Sequence, residues 1–157
     1  MKYVVLVLIA LAVFFYSRYS SNKSSVAAVE NVAIGQTFLT QNKAVEGVSE
    51  TASGLQYKVL ERGKGTEHPT ASSKVTVHYH GTLLDGTVFD SSVERDKPIG
   101  FGLNQVISGW TEGVQLMVVG DKFKFFIPSS LGYGDRAAGK IAPGSLLIFE
   151  VTLLEIQ

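Results

Sequence analysis

Residues 105–120, QVISGWTEGVQLMVVG, form the one helix-like run in a stretch that otherwise reads as strands and turns. Val106, Ile107, Trp110, Val114 and Met117 recur at three- and four-residue spacing, so they can share one apolar face. Gly109 precedes the only Trp, and Gly113, lacking a Cβ, lets such a helix approach a sheet closely. Period-two segments stand on both sides and need a hydrophobic cover. A short helix under a large aromatic, wrapped by a small sheet, makes a concave apolar floor.

The flanking segments carry the strand signal. Residues 55–59 alternate. Residues 74–83 put Val75, Val77 and Tyr79 on one face, and Thr76, His78 and His80 on the other. Asp85-Gly86 is a hairpin turn. Phe123, Phe125 and Ile127 alternate with Lys122 and Lys124, and Leu147, Phe149, Val151 and Leu153 share a face of the last segment. Antiparallel signals around one helical pattern define an α+β class, an antiparallel β half-barrel wrapped around one short α-helix and preceded by an N-terminal hydrophobic helix.

The amino terminus reads as a targeting segment. Lys2 is followed by fifteen uncharged residues, YVVLVLIALAVFFYS, which span roughly 22 Å as a helix, short of the roughly 30 Å hydrocarbon core. The run fits a secretory signal peptide, or an anchor whose Lys2 and Arg18 snorkel to the interfaces. Arg18 and Tyr19 crowd the nearest cleavage position, and the best small-residue site, Val26-Ala27-Ala28, lies about ten residues downstream, which favours the anchor. The expected organisation is a signal or anchor over 1–19, a flexible tether over 20–28 containing SSNKSS, a short helical arm over 29–50 weakened by Gly35, and a β-rich domain over 51–157.

Composition narrows the chemistry. Net charge is 0, so no basic field recommends nucleic acid as a partner. The chain has no cysteine, which excludes a disulfide framework, a thiol nucleophile and a zinc–thiolate site. Residues 134–140, GDRAAGK, have the skeleton of a phosphate-binding loop, but Ile141 stands where Ser or Thr should bind magnesium, and Ala142-Pro143-Gly144 follows where a helix should begin. His78 and His80 share a strand face without a third ligand at meaningful spacing, so they read as solvated histidines and no metal is expected. Asp90-Ser91-Ser92 has no histidine directed at it. What remains is an apolar aromatic cavity from Tyr79, Phe89, Val106, Ile107, Trp110, Tyr133 and Phe149, with Asp90 as a carboxylate beside Phe89.

VTVHYHGTLLDGTVFDSS, VISGWTEGV, LGYG and APGSLLIFEV stand in that order from Val75 to Val151, and with them the chain resembles the FKBP-type peptidyl-prolyl isomerases over about residues 51–157. Residues 29–50 are similar to the end of the helical arm of the bacterial macrophage infectivity potentiator subgroup, most of that arm being missing. The resemblance implies that Asp90, Tyr133, Tyr79 and Phe89 act on the rotating bond, and that Arg95, Phe101, Val106, Ile107, Trp110, Ile141 and Phe149 bind substrate. The Ile107 N–H and the Tyr133 hydroxyl would donate to ligand carbonyls. It implies catalysis of Xaa-Pro rotation without a cofactor, proline-containing polypeptides as partners, and macrolide-type ligands for the pocket. The chain departs from the family at Ile99, where an aromatic commonly follows Lys-Pro, in a segment after Phe101 two residues shorter than in some members, and at Ala137, Ala138 and Ala142 of the 135–143 loop. The expected location is the inner membrane, held through residues 3–17 with the domain facing the periplasm, or the periplasm itself if the signal is cleaved. The other reading is a membrane-tethered, non-catalytic chaperone for unfolded chains.

Overall fold

The computed structural model describes residues 2–157, with side chains from Val13 onward. Strand β3 (Lys74–Thr82) is the spine of a seven-stranded antiparallel sheet. One edge of β3 pairs along its length with β7 (Leu147–Ile156). The other edge pairs with β5 (Ile99–Gly102) over its first half and β4 (Val88–Ser91) over its second. Beyond β7 lie β6 (Lys122–Ile127), β2 (Gln56–Glu61) and β1 (Val48–Glu50). The alternation in the sequence is the burial pattern: Val75, Val77 and Tyr79 of β3, Phe123, Phe125 and Ile127 of β6, and Leu147, Phe149, Val151 and Leu153 of β7 are all buried.

That apolar face closes on α2 (Ser108–Val114), whose Trp110 and Val114 join the same core as Met117 beyond its end. The helix is shorter than the 105–120 run predicts. Val106 and Ile107 precede its first turn, and residues after Val114 turn out of helix towards Gly120, which sits at φ 93°. Packing explains the short length, because α2 is held by what it touches rather than by its own propensity, which two glycines lower. A Cβ on Gly109 would lie 2.6 Å from Ile127 Cγ2, and one on Gly113 would lie 2.7 Å from Phe125 Cε1.

The opposite face of the sheet receives α1 (Lys2–Asn42), a single helix that runs through residues 20–28, the expected tether. Serine and asparagine are indifferent helix formers, but with strong helical sequence on both sides, propagation through them costs little. Ser25 Oγ also donates back to the Asn22 carbonyl at 2.9 Å. Gly35 lies inside the helix because a Cβ there would stand 3.2 Å from Leu146 Cβ. Leu39 and Phe38 pack with Phe126, Leu146, Val48 and Ile148 in a second apolar cluster. Residues 48–50, expected at the end of the arm, form β1 instead. Buried Gln56 fixes this junction by donating to the Leu39 carbonyl and to Glu50, and by accepting from Asn42. Most side chains of the expected anchor over 3–17 lie outside the described residues. Among the described residues no helix is long and apolar enough to cross a membrane.

Gly113→Val should overpack the interface of α2 with β6 and cost about 1–3 kcal/mol. A lowered urea midpoint with unchanged slope is the expected result; an unchanged midpoint would mean that α2 backs away from the sheet freely.

Candidate functional site

At the open end of the half-barrel lies a cavity of about 440 Å³, lined by Tyr79, Asp90, Phe101, Gln105, Val106, Ile107, Trp110, Tyr133 and Phe149. The side chains come from several parts of the fold, with Gln105, Val106 and Ile107 from one continuous segment. Tyr79 rises from the buried face of β3, Phe101 from β5 and Phe149 from β7, while Trp110 forms the floor from α2. The indole meets Tyr79, Phe101 and Phe149 at 5.3, 5.6 and 5.3 Å between centroids, each near-perpendicular. That arrangement suits ring quadrupoles. Among the described residues, Trp110 Nε1 is the one buried side-chain nitrogen or oxygen without a hydrogen-bond partner, because rings rather than acceptors surround it.

The polar rim is one ion-paired triad. The Tyr79 hydroxyl donates to Asp90 Oδ2 at 2.5 Å, Arg95 donates to Asp90 Oδ1 at 2.6 Å, and its other terminal nitrogen donates to the Tyr79 oxygen at 3.2 Å. Burial pushes the Asp90 carboxyl upward, but the hydrogen bonds from Tyr79 and Arg95 outweigh it and hold the group below its ordinary 3.8. Burial, and then the Asp90 carboxylate, push the Tyr79 hydroxyl above its ordinary 10.0. The carboxylate therefore stays charged and the phenol stays a donor across the physiological range. On the other side of the cavity the Ile107 N–H, ahead of α2, donates to no group among the described residues. Tyr133, in the turn after β6, is substantially exposed at 43 %.

Three of the expected site residues stand back from the cavity wall. Phe89 packs edge-on against Phe149 at 5.2 Å, and both rings occupy space that a side chain on Gly81 would take. Arg95 lies behind Asp90 and reaches the site through it. Ile141 is buried in the core, its N–H and carbonyl both bonded to Ala138. Gln105 lines the cavity without having been expected to; it ends the 3₁₀ turn that leads into Val106, where no hydrophobic period marks it. The histidines are half-buried rather than solvated: Nδ1 of His78 bonds Ser92 Oγ at 2.7 Å and Nδ1 of His80 bonds Ser91 Oγ at 2.9 Å. The hydroxyl of Ser92 also accepts from the Tyr79 N–H at 2.7 Å, so this pairing braces the strand that carries Tyr79.

Residues 65–154 match the family described as FKBP-type peptidyl-prolyl cis-trans isomerase, and residues 10–59 match the domain described as amino terminal to it. The chain belongs to the FKBP-type peptidyl-prolyl cis-trans isomerases. It is similar to the FKBP-type isomerase FkpA of Aeromonas hydrophila, 56% identical over 135 residues that cover 86% of this chain and 50% of that protein. It is also similar to the outer membrane protein MIP of Legionella longbeachae, 47% identical over 131 residues that cover 83% of this chain and 56% of that protein. The crystal structure of FkpA from Escherichia coli superposes with a TM-score of 0.87 at 39% identity, covering 96% of this chain and 71% of that chain. The chain thus spans about half the length of these two sequence relatives. The amino-terminal match takes in residues 10–28, which the sequence divides between signal and tether.

Because the folded pKa of Asp90 lies below its unfolded value, the triad contributes stability above the ordinary carboxylate value and loses it as pH falls through the folded pKa. Wild type and Asp90→Asn should differ in urea midpoint at neutral pH, with the gap closing as pH drops below 3.8. A gap independent of pH would mean that the charge on Asp90 contributes nothing.

Proposed function

We propose that the chain accelerates cis–trans rotation about Xaa-Pro bonds in exported or membrane-proximal polypeptides. The observation that carries this reading is the joining of an aromatic cavity to a charged, fully partnered carboxylate on its rim. Rotation about a peptide bond meets a barrier of about 18–20 kcal/mol, because resonance gives C–N double-bond character. The planar form is charge-separated and water stabilises it; the twisted form has lost that resonance and is less polar. Moving the bond from water onto Trp110 and Phe149 therefore raises the planar form relative to the twisted one. No bond breaks, so no nucleophile, metal or general base is needed.

The polar groups hold the substrate while the bond turns. The Ile107 N–H and the Tyr133 hydroxyl are donors for the carbonyls on either side of the proline. Asp90, fixed by Tyr79 and Arg95, faces the rotating carbonyl. Phe101, Val106, Trp110 and Phe149 enclose the pyrrolidine ring, while Phe89 and Ile141 shape the wall from behind. Together these effects need to supply about 5–8 kcal/mol to give roughly 10⁴–10⁶-fold acceleration. The same cavity suits macrolide-type ligands. Residues 51–157 with β1 form the isomerase unit in this reading, and residues 3–17 are a signal or an anchor to the inner membrane that holds this unit outside the cytoplasm.

A second reading is a chaperone that holds unfolded chains without turnover. The observation favouring it is the exposed apolar surface of α1 beyond the anchor, at Val26, Val29, Val32 and Ile34. A prolyl-peptide assay separates the two. Turnover supports the isomerase; suppression of aggregation without turnover supports the holder.

In that assay Asp90→Leu and Tyr133→Phe should each lower kcat/KM about tenfold, the equivalent of about 1.4 kcal/mol of transition-state stabilisation, with the fold intact. Wild-type rates in both would remove these groups from the reaction. Protease treatment of spheroplasts tests the location. Digestion of the domain without lysis is the expected result for an extracytoplasmic anchor, and a shortened periplasmic protein for a cleaved signal; protection until lysis would overturn both.

A further inference from the structure

The loop that follows Tyr133 is closed at a narrow neck, where the Gly144 N–H donates to the Gly134 carbonyl at 2.8 Å. Helix α1 grips that neck from outside. Asn31 Nδ2 donates to the Pro143 carbonyl at 2.8 Å, across 112 residues of sequence. Gly144 sits at φ 75° with its backbone against Ala28, so close that a Cβ would lie 2.3 Å from the Ala28 carbonyl oxygen. One turn and more up the helix, Asp135 lines the same crevice as Ser20 and Ser24. The loop therefore lies along α1 and is fastened to it at its base, while Tyr133, the residue just before it, forms part of the cavity wall.

We propose that Asn31 is a positioning residue for the site. Held by Asn31 and seated on Ala28, the neck of the 134–144 loop fixes where Tyr133 stands, so this one contact, and not docking of the arm as a whole, sets how tightly the pocket takes a prolyl peptide. This rests on the isomerase reading for its substrate, but not for the contact itself. The loop has its own hydrogen bonds, at its neck and between Ala138 and Ile141, and a clamp from α1 that removes its remaining freedom beforehand lowers the entropic cost of binding. The effect belongs in binding rather than in the rotation step, because neither Asn31 nor Ala28 reaches the cavity.

The test uses the full chain. Asn31→Leu should speed hydrogen exchange at the Ala138 and Ile141 amides, which bond each other's carbonyls at 2.9 Å. It should raise KM for a prolyl tetrapeptide roughly threefold to tenfold, the range one net hydrogen bond spans, with kcat unchanged. Asn31→Gln, which keeps the amide donor, should restore much of the loss. Phe38→Ala, which loosens the arm where it packs on Phe126 at 5.8 Å between centroids and not at the loop, should leave KM as in wild type. Unchanged loop exchange in Asn31→Leu overturns the clamp. Faster exchange with unchanged KM overturns its link to the site, and an equal rise in KM for Phe38→Ala overturns the special part given to Asn31. If wild type turns over no prolyl peptide, the isomerase reading and the substrate effect fail together, and the exchange data still decide whether Asn31 holds the neck.

Discussion

Gly109 and Gly113 bring α2 to a distance from β6 that no larger residue permits, and the cavity is a consequence of that approach. With the helix backbone pressed against Ile127 and Phe125, Trp110 is directed between Tyr79, Phe101 and Phe149 and becomes a floor rather than one more core side chain. A helix held one side chain further off would leave room beneath the indole. Water there would solvate the planar amide and erase the difference between planar and twisted forms. The rest of the sheet serves this contact: β3 supplies Tyr79, β7 supplies Phe149, and the absence of a side chain at Gly81 leaves space for Phe89 to brace Phe149.

An aromatic pocket alone would bind any apolar group. In the isomerase reading the rim makes this one particular to an amide, because Asp90 carries its charge at the edge of the apolar region, held there by its partners. Tyr79 and Arg95 occupy both of its oxygens, and its own burial is outweighed by theirs as partners. Tyr79 links the two halves of the site. Its ring packs on the floor, its hydroxyl holds the carboxylate, and its backbone N–H is fastened by Ser92.

The strands were legible because period-two alternation is a direct image of one buried face, as at Val75, Val77 and Tyr79. The pocket aromatics were legible because large rings cluster around the only Trp. What escaped is what hydrophobic periodicity does not carry. Nothing local shows that residues 20–28 continue a helix or that α2 stops at Val114, since cooperativity decides the first and packing against β6 the second. Gln105 carries no periodic signal. His78 and His80 looked free until β4 and the turn after it brought Ser91 and Ser92 beside them. Asn31 is the extreme case, a polar residue on a helix whose partner lies 112 residues on, past six of the seven strands.

Isomerisation by this cavity requires that it favour a twisted amide over a planar one. The most direct measurement compares the dissociation constants of a prolyl peptide and a matched analogue whose carbonyl is locked out of the amide plane, both read through the emission of Trp110, the sole indole. If the cavity is built for the twisted form, the analogue binds about 100-fold tighter or more, as ligands resembling a transition state do. Equal affinity for the two would contradict the claim, because the cavity would then be a site for proline rather than for the rotation of its bond.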